Sequence, residues 1–211
     1  MKTDLFLIRH GQPLLCNTLL GSTDSPLSDL GYSQLEKISR QLKNINCLIS
    51  SPLTRCAAFA QQYADNKQQK LLINENWREC HFGEWDGISY ESLYQQFPQA
   101  VEQFYLSPEK NMPPQAEALL SFSDRIENTL FQLLEKEQGK SIAIFTHAGV
   151  IRTLVAWCLN IDYRSGLQFQ RFAIDYASIT HISIYYDTNN TLSNQTDKQP
   201  YYPQLIRLNQ T

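Results

Sequence analysis

The chain has 211 residues, of which 42% are hydrophobic, and its 18 Lys and Arg against 21 Asp and Glu give a formal net charge of -3. This size and composition predict one globular domain, and the slight acidity excludes an overall basic surface for nucleic acid or an acidic membrane. The five scattered cysteines, and the lack of an apolar run long enough for a signal-peptide core or a membrane span, favour a cytoplasmic protein without nucleic-acid or membrane partners.

The N-terminal part of the chain predicts alternating strands and helices. The apolar run at residues 5–8 is continuous and stops at Arg9 and His10, as a central strand buried on both faces would. Ser28 precedes apolar residues at helical spacing, which predicts the N-cap of a helix to about Lys43. The pattern then predicts a strand at residues 47–50, an amphipathic helix at residues 53–64 with Arg55 in its first turn, and a strand at residues 71–73.

The middle of the chain is irregular. Residues 77–87 combine charges, aromatics and two glycines without a helical or strand period, which predicts a loop. Four prolines then cut residues 88–115 into short helices. We interpret this segment as a cap inserted into a single domain that spans residues 1–211.

The C-terminal part repeats the strand pattern of the first one. Residues 119–139 predict a long helix, and the apolar residues 142–145 predict another buried strand. His147 follows this strand, and the amphipathic spacing of residues 150–158 places it at or just before a helix N-terminus. The last predictions are β-rich stretches at residues 169–174, 179–186 and 205–208, with a polar surface loop at residues 187–199.

This order of elements predicts the α/β class, as a three-layer α/β/α sandwich with a mostly parallel central sheet and a small helical cap insertion. Two buried-strand patterns end in a histidine, at His10 and at His147. Since functional sites of open α/β sheets lie at the carboxyl ends of the strands, both imidazoles and Arg9 are expected around one small pocket. Such a cluster suits a phosphate.

Five segments carry a more specific pattern: LFLIRHGQ at residues 5–12, GSTDSPLS at 21–28, SSPLTRCA at 50–57, RECHFGEWDG at 78–87 and FTHAGVIR at 145–152. Together and in this order they resemble the histidine phosphatase superfamily, the phosphoglycerate mutase-like proteins. The resemblance covers roughly residues 5–158 and implies the phosphoglycerate mutase-like form of the predicted sandwich.

The resemblance implies that His10 attacks the phosphorus in line, while Arg9, Arg55 and His147 hold the non-bridging oxygens. Phosphoryl transfer requires such cations facing the equatorial oxygens, and the arginine fork can donate two hydrogen bonds while staying charged. A neutral imidazole supplies the lone pair of the nucleophile, whereas His147 works best protonated. We therefore expect the two histidines to be tuned in opposite directions.

The resemblance also assigns an acid/base residue. Glu79 matches it, and its carboxyl must be protonated near neutral pH to serve a leaving alkoxide, with His81 of the same loop as the next candidate. Further phosphate or ester contacts are expected from Gln12, Thr23 and Ala148. Asn17 is a weaker match, because it lies one residue farther from His10 than the asparagine of phosphoglycerate mutases, whose place is taken here by Cys16.

No metal ion or other cofactor is expected, because the four histidines lack short ligand spacing with one another or with cysteines. The expected partner is a small-molecule phosphoester. Hydrolysis is favoured over a mutase reaction, because Lys110 is the one basic residue in residues 88–124 and the chain is shorter than typical phosphoglycerate mutases.

Within the superfamily, residues 21–28 and 82–87 most resemble α-ribazole phosphatases of cobalamin biosynthesis. The aromatic residues of the cap would suit stacking on a planar base, or they form the cap's own small core. The alternatives are a phosphoglycerate mutase-like, fructose-bisphosphatase-like or broad-range sugar phosphatase, and a non-catalytic phospholigand-binding module.

Overall fold

The computed structural model describes residues 1–186 and 201–211, so the polar loop predicted at residues 187–199 lies outside the described residues. The described residues form one six-stranded sheet in the order β3-β2-β4-β1-β5-β6. The first four strands of that order are parallel, and β5 and β6 are added antiparallel. The strands are β1 (Lys2–Arg9), β2 (Cys47–Ser50), β3 (Leu71–Ile73), β4 (Ser141–Thr146), β5 (Ile179–Tyr186) and β6 (Tyr201–Gln210).

Helices cover both faces of the sheet, which confirms the predicted α/β/α sandwich. Along β1, Leu5 and Leu7 pack towards one face while Ile8 packs towards the other, as strand alternation requires. The first face carries α5 (Leu119–Lys136) and α6 (Ala148–Cys158), and the second carries α1 (Asp29–Ser39) and α2 (Thr54–Lys67). No helix in residues 1–186 and 201–211 has the length and apolar character needed to cross a membrane.

The segment predicted as a cap holds α3 (Tyr90–Gln96), α4 (Pro98–Leu106) and a 3₁₀ turn at Pro108–Lys110. Ser89 caps α3 by accepting from the N–H of Ser92 at 3.1 Å, and Pro98 begins α4, where a missing N–H costs nothing. A small core forms beneath these helices from four buried residues, Trp85, Leu93, Val101 and Phe104.

The predicted end of helix α1 is wrong. Helix α1 begins at its predicted cap, where Ser28 Oγ accepts from the N–H of Gly31, but it ends at Ser39 instead of near Lys43, because 3₁₀-type bonds tighten the turn that buries Leu42.

The strand predicted at residues 169–174 is absent. A short helix, α7 (Gln168–Arg171), begins there, and the extended residues after it pair with no described strand. The carbonyls of Phe172 and Ile174 accept instead from the side chains of Arg152 and Arg9. Hydrogen bonds from these two arginine side chains therefore hold the segment in place.

Candidate active site

The parallel pairing of β1 with β4 brings the two strand-end histidines together. Arg9 is in register with Thr146, and the N–H of His10 donates to the carbonyl of Thr146 at 3.0 Å. The rings of His10 and His147 consequently meet edge to face, with their centroids 5.3 Å apart. Both side chains are almost wholly removed from solvent.

A backbone contact fixes the tautomer of His10. Its Nδ1 lies 2.8 Å from the carbonyl of Gly11, and because a carbonyl only accepts, Nδ1 carries the hydrogen and Nε2 carries the lone pair. Burial, and then the charges of Arg55 and Arg9, hold the pKa of His10 well below its usual value. The imidazole is therefore neutral and nucleophilic at Nε2.

Arg9 is held on two sides beside that nucleophile. Its Nη1 donates to the carbonyl of Ile174 at 2.5 Å, and its guanidinium carbon lies 3.9 Å above the ring of Tyr176. Burial lowers the pKa of Arg9, but a guanidinium starts so high that it keeps its charge. Its Nε is buried and has no hydrogen-bond partner among the described residues.

Arg55 reaches the site from the first turn of α2 and is completely buried. Its Nη1 donates to the carbonyl of Thr23 at 2.9 Å, and its Nη2 donates to that of Gly21 at 2.7 Å. Within the described chain its Nε, like that of Arg9, is buried without a partner. Two buried cationic donors left unsatisfied are what an oxyanion site requires.

His147 is the N-cap residue of α6, and its side chain contacts Ser51, which follows β2, and Cys56 of α2. Its Nε2 lies 2.7 Å from the hydroxyl of Ser51 and 3.6 Å from the thiol of Cys56. Burial, followed by the positive charges of Arg55 and Arg9 nearby, holds the pKa of His147 well below its usual value. The expectation of opposite tuning is therefore wrong: both rings are buried near the same two arginines, so both are neutral in the unliganded protein.

Glu79 comes from the predicted loop and lies against the start of α6. Its Oε2 accepts from the N–H of Gly149 at 2.9 Å, and its Oε1 accepts from the N–H of Cys80 at 3.1 Å. These two backbone donors fix the direction of the carboxyl group. A Cβ at position 149 would overlap Oε1 of Glu79, so a larger residue there would displace this carboxyl group.

A cavity of about 160 Å³ lies at this site, and neither Arg55 nor His147 is among the residues that line it. Arg9, His10, Glu79 and Ala148 line it on the side of the sheet. Three aromatic residues of the cap, which the sequence suggested could stack on a substrate, form part of the wall: Tyr90, Phe104 and Tyr105. The sequence did not assign the other lining residues to the site: Thr18, Leu19, Leu20, Phe82, Gly149, Arg152, Phe169 and Tyr176. Arg152 could have been suspected, because it lies one helical turn after Ala148 inside the FTHAGVIR segment.

Three of the remaining expected residues have backbone roles in the structure. The carbonyl of Gln12 accepts from the hydroxyl of Ser28 at 3.0 Å, and the carbonyl of Thr23 holds Arg55. Asn17 is exposed, adopts a left-handed φ of 56° and accepts through its carbonyl from the N–H of Tyr90. None of the three lines the cavity as the structure describes it.

The alternative acid lies outside the cavity as well. His81 is exposed, and its Nδ1 accepts from the N–H of Gly83 at 2.8 Å, which shapes the turn after Glu79. In residues 1–186 and 201–211, no three or more His, Cys, Asp or Glu side chains gather as metal ligands would.

Comparison with known proteins gives a family match over most of the chain. The model of the histidine phosphatase superfamily (branch 1) matches residues 5–197. Phosphoserine phosphatase 1 of Hydrogenobacter thermophilus is 23% identical over 184 residues, which cover 84% of this chain and 85% of that protein. The adenosylcobalamin/alpha-ribazole phosphatase of Escherichia coli is 25% identical over 170 residues, covering 79% and 84%.

Solved structures of similar proteins have the same fold. The mycobacterial glucosyl-3-phosphoglycerate phosphatase aligns over 100% of both chains with a TM-score of 0.83 at 19% identity. The Entamoeba histolytica phosphoserine phosphatase in complex with 3-phosphoglyceric acid aligns over 99% of this chain and 98% of its own, with a TM-score of 0.78 at 25% identity.

Proposed function

The chain belongs to the histidine phosphatase superfamily, and from that premise we propose that it is a phosphomonoesterase that works through a phosphohistidine on His10. One observation supports this most directly. The carbonyl of Gly11 holds the proton of His10 on Nδ1, so Nε2 presents a lone pair beside Arg9 and Arg55. A neutral nucleophile between two fixed cations suits in-line attack on a phosphoryl group.

In the first step, Nε2 of His10 forms a bond to phosphorus while the bond from phosphorus to the ester oxygen breaks. The Nε atoms of Arg9 and Arg55, which are buried without partners in the described chain, are available to hold the non-bridging oxygens. Glu79 gives its proton to the departing alkoxide.

In the second step, water attacks the phosphohistidine and Glu79 takes the proton that the water loses. The products are inorganic phosphate and neutral His10, so the enzyme returns to its starting state. The bound dianion also offsets the arginine charges that keep His147 neutral, and we expect this imidazole to gain a proton as phosphate binds.

A second candidate concerns the ester group. The phenols of Tyr90 and Tyr105 line the cavity next to Phe104, and such a wall supports a planar base, as in α-ribazole 5'-phosphate. The Escherichia coli relative is named for that activity. We also propose the cytoplasm as the compartment, since the thiols of Cys56 and Cys158 are buried and unpaired.

The function is tested by phosphate release from p-nitrophenyl phosphate and by rapid quench with a labelled ester. The wild type should release phosphate and carry an acid-labile, base-stable label, and His10→Ala should lose both. His181→Gln is the matched control, because His181 lies on β5 and contacts Asp4 at 3.0 Å instead of the cavity. A label that persists in His10→Ala would show that the nucleophile is another residue.

A further inference from the structure

One ion pair with little exposure to solvent lies beside the loop that carries Glu79. Arg125 of α5 donates from Nε to Oε1 of Glu117 at 3.0 Å and from Nη2 to Oε2 at 2.7 Å. The two side chains are 12% and 21% exposed, and neither residue lines the cavity. A bidentate pair that is largely removed from water has a fixed geometry, unlike an ion pair on the surface.

The arginine of this pair holds the chain just before Glu79. Nη1 of Arg125 donates to the carbonyl of Asn76 at 2.7 Å and to the carbonyl of Arg78 at 3.0 Å. The carbonyl of Arg78 belongs to the peptide group that leads into Glu79. Because a peptide group is planar, a fixed carbonyl at residue 78 also fixes the N–H and the Cα of Glu79.

The glutamate of the pair holds the chain just after Glu79. The backbone N–H of Glu117 donates to the carbonyl of His81 at 2.9 Å. Its Oε2 also accepts from the N–H of His81, at 3.4 Å, which is a weaker contact. The loop is thus held at residues 78 and 81, on both sides of Glu79, by two residues that are bonded to each other.

Glu79 depends on this support because it lies outside the helices and strands. It lies between the 3₁₀ turns Glu75–Trp77 and Gly83–Trp85. Within the described chain, its carboxyl group contacts only the N–H groups of Gly149 and Cys80. Cys80 belongs to the same loop, so a shift of the loop moves the carboxyl group and one of its two donors. A displacement of about 1 Å can cost about 10²-fold in rate.

We propose that Arg125 and Glu117 are positioning residues for the acid–base step: they hold the loop so that Glu79 meets the ester oxygen. This inference rests on the phosphomonoesterase function proposed above and adds two residues to its machinery. Arg9 and Arg55 come from the end of β1 and from α2, so the pair does not hold the phosphate-binding cations. Its loss should therefore impair protonation of the leaving group and spare phosphate binding.

The test measures how the loss in Arg125→Gln depends on the leaving group. Single-turnover phosphorylation by glycerol 3-phosphate, an alkyl ester, should slow by about 10- to 100-fold, the range expected for a displaced acid. The burst of p-nitrophenol from p-nitrophenyl phosphate and the inhibition constant of vanadate should stay close to their wild-type values. Glu117→Gln should show the same pattern with a smaller loss, since its amide keeps one acceptor oxygen, and it gives the comparison if Arg125→Gln does not fold.

A double variant identifies Glu79 as the residue through which the pair acts. Glu79→Gln has no acid to position, so adding Arg125→Gln should slow phosphorylation by the alkyl ester no further. Arg164→Gln is the matched control, because Arg164 pairs with Asp124 of α5 at 3.1 Å. It has no hydrogen bond or ion pair to residues 76–81 in the described part of the chain, so the control should keep both rates.

Amide hydrogen exchange measures the same positioning without turnover. The N–H groups of Cys80 and Gly149, which hold Glu79, should exchange faster in Arg125→Gln than in the wild type, whereas Arg164→Gln should leave them protected. Equal losses on both esters, loss of vanadate inhibition, a further loss in the double variant or unchanged exchange would each overturn the inference.

These measurements also separate the inference from the proposed function. If exchange at Cys80 and Gly149 rises as expected but the wild type releases no phosphate from either ester, the pair holds the loop and the phosphatase function fails. If the wild type releases phosphate and Arg125→Gln behaves like Arg164→Gln, the phosphatase function stands and the positioning role fails.

Discussion

Asp86 is placed to hold the loop that positions Arg55. Its carboxylate accepts from the backbone N–H groups of Gly21 at 3.2 Å, Ser22 at 2.7 Å and Thr23 at 2.9 Å. The carbonyls of Gly21 and Thr23 in turn accept from the guanidinium of Arg55. We predict that Asp86→Asn weakens both the loop and the phosphate site, although Asp86 itself does not line the cavity.

The size of the effect follows from the hydrogen bonds. The Oδ1 atom of Asp86 accepts from Gly21 and Thr23, whereas Oδ2 accepts from Ser22 and from Phe82. Asparagine keeps one acceptor oxygen, so at least two N–H groups then face an amide nitrogen. Each unsatisfied donor costs about 1–3 kcal/mol, with the lower end for partly exposed groups, which gives about 2 kcal/mol in total. For a chain of this size the Tm should fall by about 4–8 °C.

The activity should fall as well. The carbonyls of Gly21 and Thr23 would no longer hold the guanidinium of Arg55 in one position. If its contact with phosphate weakens by about 1.4 kcal/mol, kcat/KM falls about tenfold. The inhibition constant of vanadate should rise in parallel, since vanadate presents oxygens to the same cations.

Glu84→Gln is the matched control for these measurements. Glu84 lies two residues before Asp86, is exposed and accepts only from the amide of Gln115, at 3.0 Å, within the described residues. Urea and thermal unfolding of both variants, together with vanadate inhibition, give the comparison. If Asp86→Asn were as stable as Glu84→Gln at pH 7, the carboxylate would not be what holds the loop.

The pH dependence gives a second check on Asp86. Burial alone would raise the pKa of Asp86, but hydrogen bonds from Thr23, Ser22 and Phe82 hold it below its usual value. A lowered folded pKa means that the stabilisation is present above the unfolded value, about 3.9, and is lost as pH falls through the folded value. The stability difference between wild type and Asp86→Asn should therefore shrink below about pH 4. A difference that stays constant in acid would point to a packing defect.

Three further variants or conditions test the site itself. In Glu79→Gln, turnover of an alkyl phosphate should fall by about 10²- to 10⁴-fold. The burst of p-nitrophenol from p-nitrophenyl phosphate should persist, because that leaving group needs little help from an acid. If both substrates lost phosphorylation rate equally, another residue would be the acid. In Gly149→Ala, the added Cβ displaces Glu79, so turnover should fall by about 10²-fold or more, as in Glu79→Gln, while vanadate still inhibits. Unchanged turnover would contradict this packing. Burial and then Arg55 and Arg9 hold the pKa of His10 low, so the acid limb of kcat/KM for p-nitrophenyl phosphate should lie well below pH 6.5, and a limb at or above 6.5 would show a solvated imidazole.

The strands and the histidine pair could be predicted because their signals are local. A continuous apolar run ending in a charge indicates a buried strand, and β1 and β4 both have this pattern and pair in parallel. Ser28 likewise caps α1 as predicted, with its hydroxyl 3.1 Å from the N–H of Gly31. In each case the residues that determine the structure lie within one turn or one strand of it.

The errors arise where distant side chains compete with a local pattern. Residues 169–174 have the composition of a strand, but the carbonyls of Phe172 and Ile174 accept from Arg152 and Arg9. No local sequence pattern predicts these contacts, because Phe172 is 20 residues from Arg152 and Ile174 is 165 residues from Arg9 in the sequence. The same contacts hold Arg9 and Arg152 in the cavity wall, so the mispredicted segment is the one that orients two of its cations.

The tuning of His147 was missed for a related reason. From the sequence, a phosphate-binding imidazole is expected to be protonated. In the unliganded site, however, burial and the positive charges of Arg55 and Arg9 oppose protonation of His147. A phosphate dianion reverses that balance when it binds. Binding of vanadate should therefore be accompanied by proton uptake near neutral pH, which calorimetry in buffers of different ionisation enthalpy measures, and His147→Gln should reduce it. Uptake that His147→Gln leaves unchanged would show that another group of the site takes the proton.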